Sequence, residues 1–487
     1  MKIKNLIDIK TLFFDNKTTK QTIFKNTFWL ALSSGISSFL SFFLVIYIAR
    51  ALGPTRYGEF SFALAFILFF SIFANFGLSR IVIRELSQGK EREKDYPSLL
   101  SLKLLLVLGT LAAIFISAFF ITSDPSIRKV IWILAGYVLI GNFAQVLYDF
   151  LEAHQQMEYE SLAKILETIL HTIFGFFVIL NFPSVENLAY GYLASILFFL
   201  IFLLTFFHLK IYRLHFRWDK FIWRKYLKMS WPLALTAFFA TIYGQAGLVM
   251  MGYFGQITQT GWYNAAYGIV STVIIPPSII CTSFFPALSK TFKEAKEKFQ
   301  KIWDYQLEIM ISYAIPLMAG GLFLAPRIID YIYDPSFIPS ILAFRILIIM
   351  AGIIIFYTTF HWILIIANQQ KKIFLVGLIG AVINIILNLI LIPKYSLYGV
   401  AVTMVVSYLL MFLLFFVFTF KFTAIKTFNL KLLYNLIGAI ICSIIMYFVI
   451  SRPIIYHFHI LYLVMIGAGV YLICLYFYKK GVAKLLP

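Results

Sequence analysis

An all-α, polytopic membrane protein is what this sequence predicts, and three observations predict it. The chain of 487 residues is 61% hydrophobic and only 13% charged, with a mean hydropathy of +0.89. Soluble domains are about half apolar and about a quarter charged, so lipid must solvate much of this surface. Second, the apolar residues fall into fourteen runs, each near the length of about 20 residues that a helix needs to cross a bilayer. Third, Lys and Arg gather in alternate connections between those runs, as they do where basic segments stay cytoplasmic.

The runs, taken in order, centre on Ser38, Phe69, Leu111, Leu139, Phe174, Leu197, Tyr243, Ile274, Leu317, Gly352, Ile383, Leu409, Ile441 and Val470. With the N-terminus inside, the cytoplasmic segments hold 30 of the 41 basic residues and the outer loops 7. The other four, Arg80, Lys103, Lys164 and Arg345, fall within runs. Both termini are therefore expected in the cytoplasm, with the chain in the cell (inner) membrane. The net charge of +20 is explained by this distribution, and nucleic acid is not expected as a partner. The polar stretch 1–26 leads into a full-length apolar run with no small-residue cleavage site, so no cleavable leader is expected. Cys281, Cys442 and Cys474 lie far apart in apolar runs and read as small hydrophobes. The connection Lys210–Met229, with Arg213, Arg217, Trp218, Trp223 and Arg224, reads as an interfacial segment on anionic headgroups.

Three local matches relate the two halves. Tyr57-Gly58 beside Phe60 matches Thr260-Gly261 beside Tyr263. Ala153-His154-Gln155-Gln156 matches Ala367-Asn368-Gln369-Gln370 at an offset of 214, and Ala189-Tyr190-Gly191 matches Leu397-Tyr398-Gly399. Six runs separate each pair, so the copies share one orientation, which is the parallel-repeat architecture of some transporters. The expected organisation is a cytoplasmic segment 1–26, an N-lobe 27–209 holding six spans and a basic cytoplasmic linker 210–229. A C-lobe 230–420 with six more follows, and then 421–487 with the last two spans and a cytoplasmic tail.

Ionisable groups inside a span are costly and are functional candidates by default. Asn142, Gln145 and Asp149 share one face of the fourth span, and Lys164, Glu167 and His171 one face of the fifth, each set at spacings of 3 and 4. One reading makes Glu167, Asp149 and His171 exchangers of protons or ions and Lys164 a phosphate holder. The other makes Lys164 and Glu167 a structural pair and bonds His171 to a carbonyl. Arg80, Lys103 and Lys164 share one level of the N-lobe, as a diphosphate receptor on the cytoplasmic side requires, although snorkelling also accounts for the first two. Gln245 on the seventh span, and Asn384 with Asn388 on the eleventh, are the second lobe's polar positions. Pro276-Pro277 should kink the eighth span as a hinge.

The opening segment, from Asn26-Thr27 through Ser33-Ser34-Gly35 to Ala49-Arg50-Ala51-Leu52-Gly53-Pro54 and Tyr57-Gly58, resembles the polysaccharide-flippase (Wzx-like) family. So do Phe76-Gly77-Leu78-Ser79-Arg80 with Arg84-Glu85, and the stretch Pro393 to Ala401. That family belongs to the multidrug, oligosaccharidyl-lipid and polysaccharide exporter superfamily. The resemblance implies a V-shaped, two-lobed carrier that flips a polyprenyl-diphosphate-linked oligosaccharide outward by alternating access. It also implies a cationic cavity, to which Arg50, Arg80, Lys103 and Lys164 are assigned, and an H+ or Na+ gradient as drive. Related peptidoglycan-precursor flippases use an extra final helix pair as a groove for the lipid tail, a role open to the last two spans here. A monomer, with membrane lipids and other polysaccharide-assembly proteins around it, is the expected setting.

Two rivals stand beside this reading. A drug or metabolite antiporter of the same superfamily would need carboxylates selecting a cation, whereas the charges within spans lean basic. A membrane polymerase or glycosyltransferase would need an acidic metal pair or a large outer loop; the sequence has no Asp-x-Asp motif, and its largest outer loop, about 326–340, carries only Arg327, Asp330 and Asp334. No phosphate-binding P-loop pattern occurs, and no metal or cofactor is expected.

Overall fold

The computed structural model describes residues 14–16, 18–294, 296–423 and 430–482. Residues 1–13 and 17 of the expected N-terminal segment, and the tail 483–487, lie outside the described residues. Among the described residues every regular element is helical. The principal helices are α1 (Thr19–Asn75), α2 (Leu78–Leu86), α3 (Tyr96–Ile121), α4 (Pro125–Ala153), α5 (Met157–Asn181), α6 (Val185–Phe206) and α7 (Lys220–Tyr253). They continue as α8 (Ile257–Val273), α9 (Ile275–Glu294), α10 (Lys296–Ile332), α11 (Ser340–Ile366), α12 (Gln370–Phe422), α13 (Leu430–Ile450) and α14 (Ile460–Val482).

Twelve helical segments among the described residues are long and apolar enough to cross a membrane. The expected count was fourteen, and the difference lies in two segments that double back. A straight helix of 57 residues would run for about 85 Å, far beyond a hydrocarbon core of about 30 Å. α1 is broken at Gly53 (φ 70°, ψ 171°), immediately before Pro54. Lys25 at its start bonds the carbonyl of Gln155 at 3.2 Å, while Glu93, which follows α2, bonds His154 at 2.9 Å. After α1 and α2 the chain has therefore returned to the turn from which α1 set out. α12 breaks at Ser396 (φ 53°, ψ −131°), and Asn384 on one arm reaches Ser407 on the other at 3.3 Å.

The chain divides into two compact units, Met1–Thr258 and Gln259–Pro487. The division falls one helix beyond the expected linker, because α7 packs along the second arm of α1. Phe69 meets Phe238 with ring centroids 6.1 Å apart, and the buried Phe62 ring fills the space a side chain at Gly252 would need. Small residues permit such close helix approach. Residues 212–219 of the linker form no regular element and lie against the start of α3. The Arg217 N–H bonds the Pro97 carbonyl at 3.2 Å, Ser101 donates to the Arg217 carbonyl, and Trp223 Nε1 donates to Ser98 at 2.8 Å.

In unit 2, α13 and α14 pack on each other and on α10, with Lys479 Nζ 2.6 Å from Glu308 Oε1. Gly438 sits under the Tyr478 ring, whose hydroxyl is pinned by the Tyr434 carbonyl at 2.9 Å. A Cβ at position 438 would overlap that ring. Gly438→Ala should therefore cost about 1–3 kcal/mol as an overpacked contact, read as a lower melting temperature of the purified protein. Removing Tyr478 as well (Tyr478→Leu) should relieve the clash.

Candidate functional site

The polar side chains of unit 1 converge on a break in the second span. α1 ends at Asn75, Phe76 and Gly77 both take left-handed conformations (φ 44° and 67°), and α2 starts at Leu78. A helix end leaves carbonyls unsatisfied and a helix start leaves N–H groups unsatisfied. Lys103, from α3, meets the first need: its Nζ donates to the Ala74 carbonyl at 3.0 Å and to Asn75 Oδ1. Asn75 Nδ2 then donates to Asn142 Oδ1 at 2.6 Å, and Asn142 Nδ2 to the Val138 carbonyl at 3.0 Å. Asp149, from α4, lies beside the start of α2, accepting from Gln145 Nε2 at 2.9 Å and bonding the side chain of Ser79. A cation at a helix C-terminus and an anion at a helix N-terminus each gain from the macrodipole. Lys103 and Asp149 are each 3% exposed, so this charge arrangement is enclosed by protein.

A second cluster adjoins the first. Lys164 Nζ lies 2.6 Å from Glu160 Oε1 and 5.2 Å from the centre of the Tyr148 ring. Tyr148 donates to Glu167 Oε2 at 2.8 Å. Glu167 therefore pairs with a tyrosine, and the partner of Lys164 is Glu160 instead of the Glu167 that spacing suggested. Glu152 feels Lys164, Arg80 and Glu160 electrostatically, and Asp149 feels Glu152. The two clusters thus form one chain of charges from Lys103 to Lys164.

The three cations expected to share one level as a diphosphate receptor differ in exposure. Arg80 is exposed and Lys164 partly so, whereas Lys103 is committed to the helix break. Arg50 stands apart: it lies 25 positions along the first arm from Lys25, about 37 Å of helix, at the opposite end. His171 packs between aromatic rings, stacked on Tyr137 at 5.1 Å with Tyr192 at 3.7 Å, and its Nδ1 lies 3.4 Å from Ser195 Oγ. Gln245 is half-buried on α7. Asn384 and Asn388, expected to face a cavity, are buried between the arms of α12, where Asn388 Nδ2 donates to Asn384 Oδ1 at 3.0 Å. Pro276 and Pro277 fall in the first turn of α9, after a break at Ile274. That position suits proline, whose missing N–H is unpaired there anyway. Among the described residues no three of His, Cys, Asp or Glu converge as metal ligands.

Unit 2 contributes a different feature. An almost wholly apolar cavity of about 480 Å³ lies among α8, α10, α11, α13 and α14. Leu317, Gly320, Phe344, Met446, Gly467 and Leu472 are on its walls. The glycines hollow it out: a Cβ at Gly320 or Gly467 would make only ordinary contacts, at 3.7 and 3.5 Å.

A sequence profile of the family described as polysaccharide biosynthesis protein matches residues 23–292, more than half of the chain. The chain belongs to that family. One relative is the capsular polysaccharide biosynthesis protein CapF of Staphylococcus aureus, 23% identical over 394 residues, covering 79% of this chain and 96% of the relative. Another, from Haloferax volcanii, is named "Probable low-salt glycan biosynthesis flippase Agl15" and is 22% identical, covering 76% of this chain and 77% of the relative. The lipid II flippase MurJ in an inward closed conformation shares the fold, with a TM-score of 0.77 over 93% of this chain and 99% of that one, at 17% identity. An inward-facing multidrug resistance MATE family transporter of the MOP superfamily gives 0.63 over 79% and 94%, at 16% identity.

In this member of the polysaccharide biosynthesis protein family, Asn75, Ser79, Tyr148 and Glu160 complete the network, and none of them is among the candidate site residues that the sequence offers. Glu160 was findable, four residues before Lys164 on one helical face. Asn75 was not, because its role depends on a helix break that hydropathy does not register. Chemically, the arrangement holds a buried cation, Lys103, at the end of α1 and a buried carboxylate, Asp149, beside the start of α2.

Proposed function

We infer that this chain is a flippase that carries a polyprenyl-diphosphate-linked oligosaccharide from the cytoplasmic to the outer leaflet by alternating access, for cell-surface polysaccharide biosynthesis. The observation that carries this reading is the apolar cavity of about 480 Å³ in unit 2. A polyprenyl tail needs such a groove; a small hydrophilic substrate does not. The names of the flippase relatives support the same substrate class. Arg80 and Lys164, the more exposed cations of the unit 1 network, are assigned to the diphosphate. Asp149 and Glu167 are assigned to coupling with H+ or Na+. Cytoplasmic termini, a monomeric state and the absence of covalent catalysis are part of this reading. The alternative, an ion-coupled drug or metabolite exporter, is supported by the MATE fold similarity, but the charges within spans, Arg80, Lys103, Lys164 and Arg345 against Asp149 and Glu167, lean basic and favour an anionic substrate.

Gly467→Phe would project a ring into the cavity. In proteoliposomes supplied with a fluorescent lipid-linked glycan, this variant should translocate the glycan at least about tenfold more slowly, a rise of about 1.4 kcal/mol in the barrier. Gly467→Ala, which meets only ordinary contacts, should be unimpaired. Equal rates in the Phe variant would remove the cavity from the mechanism. A new covalent product would replace transport by enzymology.

A further inference from the structure

A second cavity, in unit 1, lies at the basic end of the helices. Its volume is about 420 Å³, within the range of pockets that hold small molecules, about 300–1,000 Å³. Leu100 of α3, Phe143 of α4, Leu204 of α6, and Leu214 and Phe216 of the linker wall it with apolar groups. His208 closes one side. The cavity exists because α6 ends in a wider π turn, Phe207–Ile211, and the linker folds back over that turn. The fold-back is held by the Leu214 N–H, which donates to His208 Nδ1 at 3.1 Å.

Around this apolar hollow the surface is cationic. Lys210 and Arg213 are exposed, and neither has a carboxylate partner among the described residues. Asp219, the linker's own carboxylate, is taken by Arg217 at 3.3 Å. Large apolar side chains stand beside the charges: Leu209 is 71% exposed, Trp218 65% and Phe221 81%. Fully hydrated, such groups would be costly. At the boundary between acyl chains and headgroups they are at home, with their rings in the apolar layer and the neighbouring cations at the phosphate level.

We propose that this hollow is a binding site for an anionic phospholipid of the cytoplasmic leaflet, one acyl chain filling the cavity and the phosphate held by Lys210 and Arg213. Charge complementarity decides the headgroup: two exposed cations, each next in sequence to a wall residue (Leu209 and Leu214), favour a net negative lipid over a zwitterionic one. The apolar walls require a diacyl lipid over a free phosphate. The site rests only on the chain's placement in a membrane and holds whatever the transported substrate is. Lipid seated there would brace the linker against α3, α4 and α6, the same linker that leads into α7.

The test uses the delipidated full-length protein and native mass spectrometry with added phosphatidylglycerol, phosphatidylcholine or inorganic phosphate. Phosphatidylglycerol should be retained at least about fivefold more than phosphatidylcholine, and Lys210→Gln/Arg213→Gln should erase that preference. Thr205→Trp, at an exposed position on the cavity wall, should lower retention of both lipids without unfolding the protein. Equal retention of the two lipids by the wild type, or undiminished phosphatidylglycerol binding in both variants, would overturn the proposal. So would inorganic phosphate that competes the lipid away.

Discussion

Gly77→Ala should be among the most damaging single-methyl additions in unit 1. Two effects add. The residue sits at φ 67°, where a Cβ costs about 1–2 kcal/mol. The same Cβ would lie 2.8 Å from the Ala234 backbone nitrogen and 2.9 Å from the Ser230 carbonyl, closer than real contacts allow. Those atoms belong to the backbone of α7 and cannot rotate away as a side chain could. Overpacking of this kind adds about 1–3 kcal/mol, giving roughly 2–5 kcal/mol in all. Because the break at Phe76-Gly77 and its seat on α7 are changed together, transport should fall along with stability. Gly141→Ala is the control: it has open space, and Ala is the better helix former by about 1 kcal/mol. Heating the purified variants and following the monodisperse fraction should rank them as Gly141→Ala near wild type and Gly77→Ala far below. If Gly77→Ala melts with wild type, the close approach of α7 to the break is not part of the folded protein.

How much of this could be read from the sequence follows from what each feature depends on. The spans were legible because desolvating a backbone forces helix formation in lipid, and apolar run length reports it directly. The doubled segments were legible as pairs of runs, since Gly53-Pro54 and the stretch at Ser396 interrupt otherwise continuous helix. The repeated turn was legible, but with its register wrong by one. Gln155 and Asn368 share a φ of 57°, and Gln156 N–H bonds Leu151 O as Gln369 N–H bonds Leu364 O, both at 2.9 Å. The structural offset is thus 213, because backbone geometry aligns the left-handed residue, whereas letters align the glutamines. Partners of charged groups were the least legible. Helical spacing suggests Glu160 and Glu167 almost equally for Lys164, and only the position of Tyr148 on α4 separates them. Lys103 looked like a snorkelling residue because nothing in its own run reveals that α1 ends opposite it.

That position makes Lys103→Met the second large effect. Methionine keeps the stem's volume and removes the three donors. It leaves the Ala74 carbonyl and Asn75 Oδ1 without their cation and leaves the buried Asp149 without the positive charge that acts on it. Breaking a buried charge arrangement from one side costs about 3–5 kcal/mol, most of it the penalty on the partner left behind. Asp149→Asn alone should cost less, because an amide can still bond Gln145 and Ser79. The two variants together should then be more stable than the sum of their separate losses predicts, with a coupling of about 1–3 kcal/mol. If the losses simply add, Lys103 and Asp149 act independently at the two sides of the break. A positive coupling would instead tie them into one unit whose protonation state sets how firmly α1 and α2 are joined. In that case Asp149→Asn, which fixes the neutral state, should flatten the dependence of glycan translocation on an imposed proton gradient while leaving the folded protein intact.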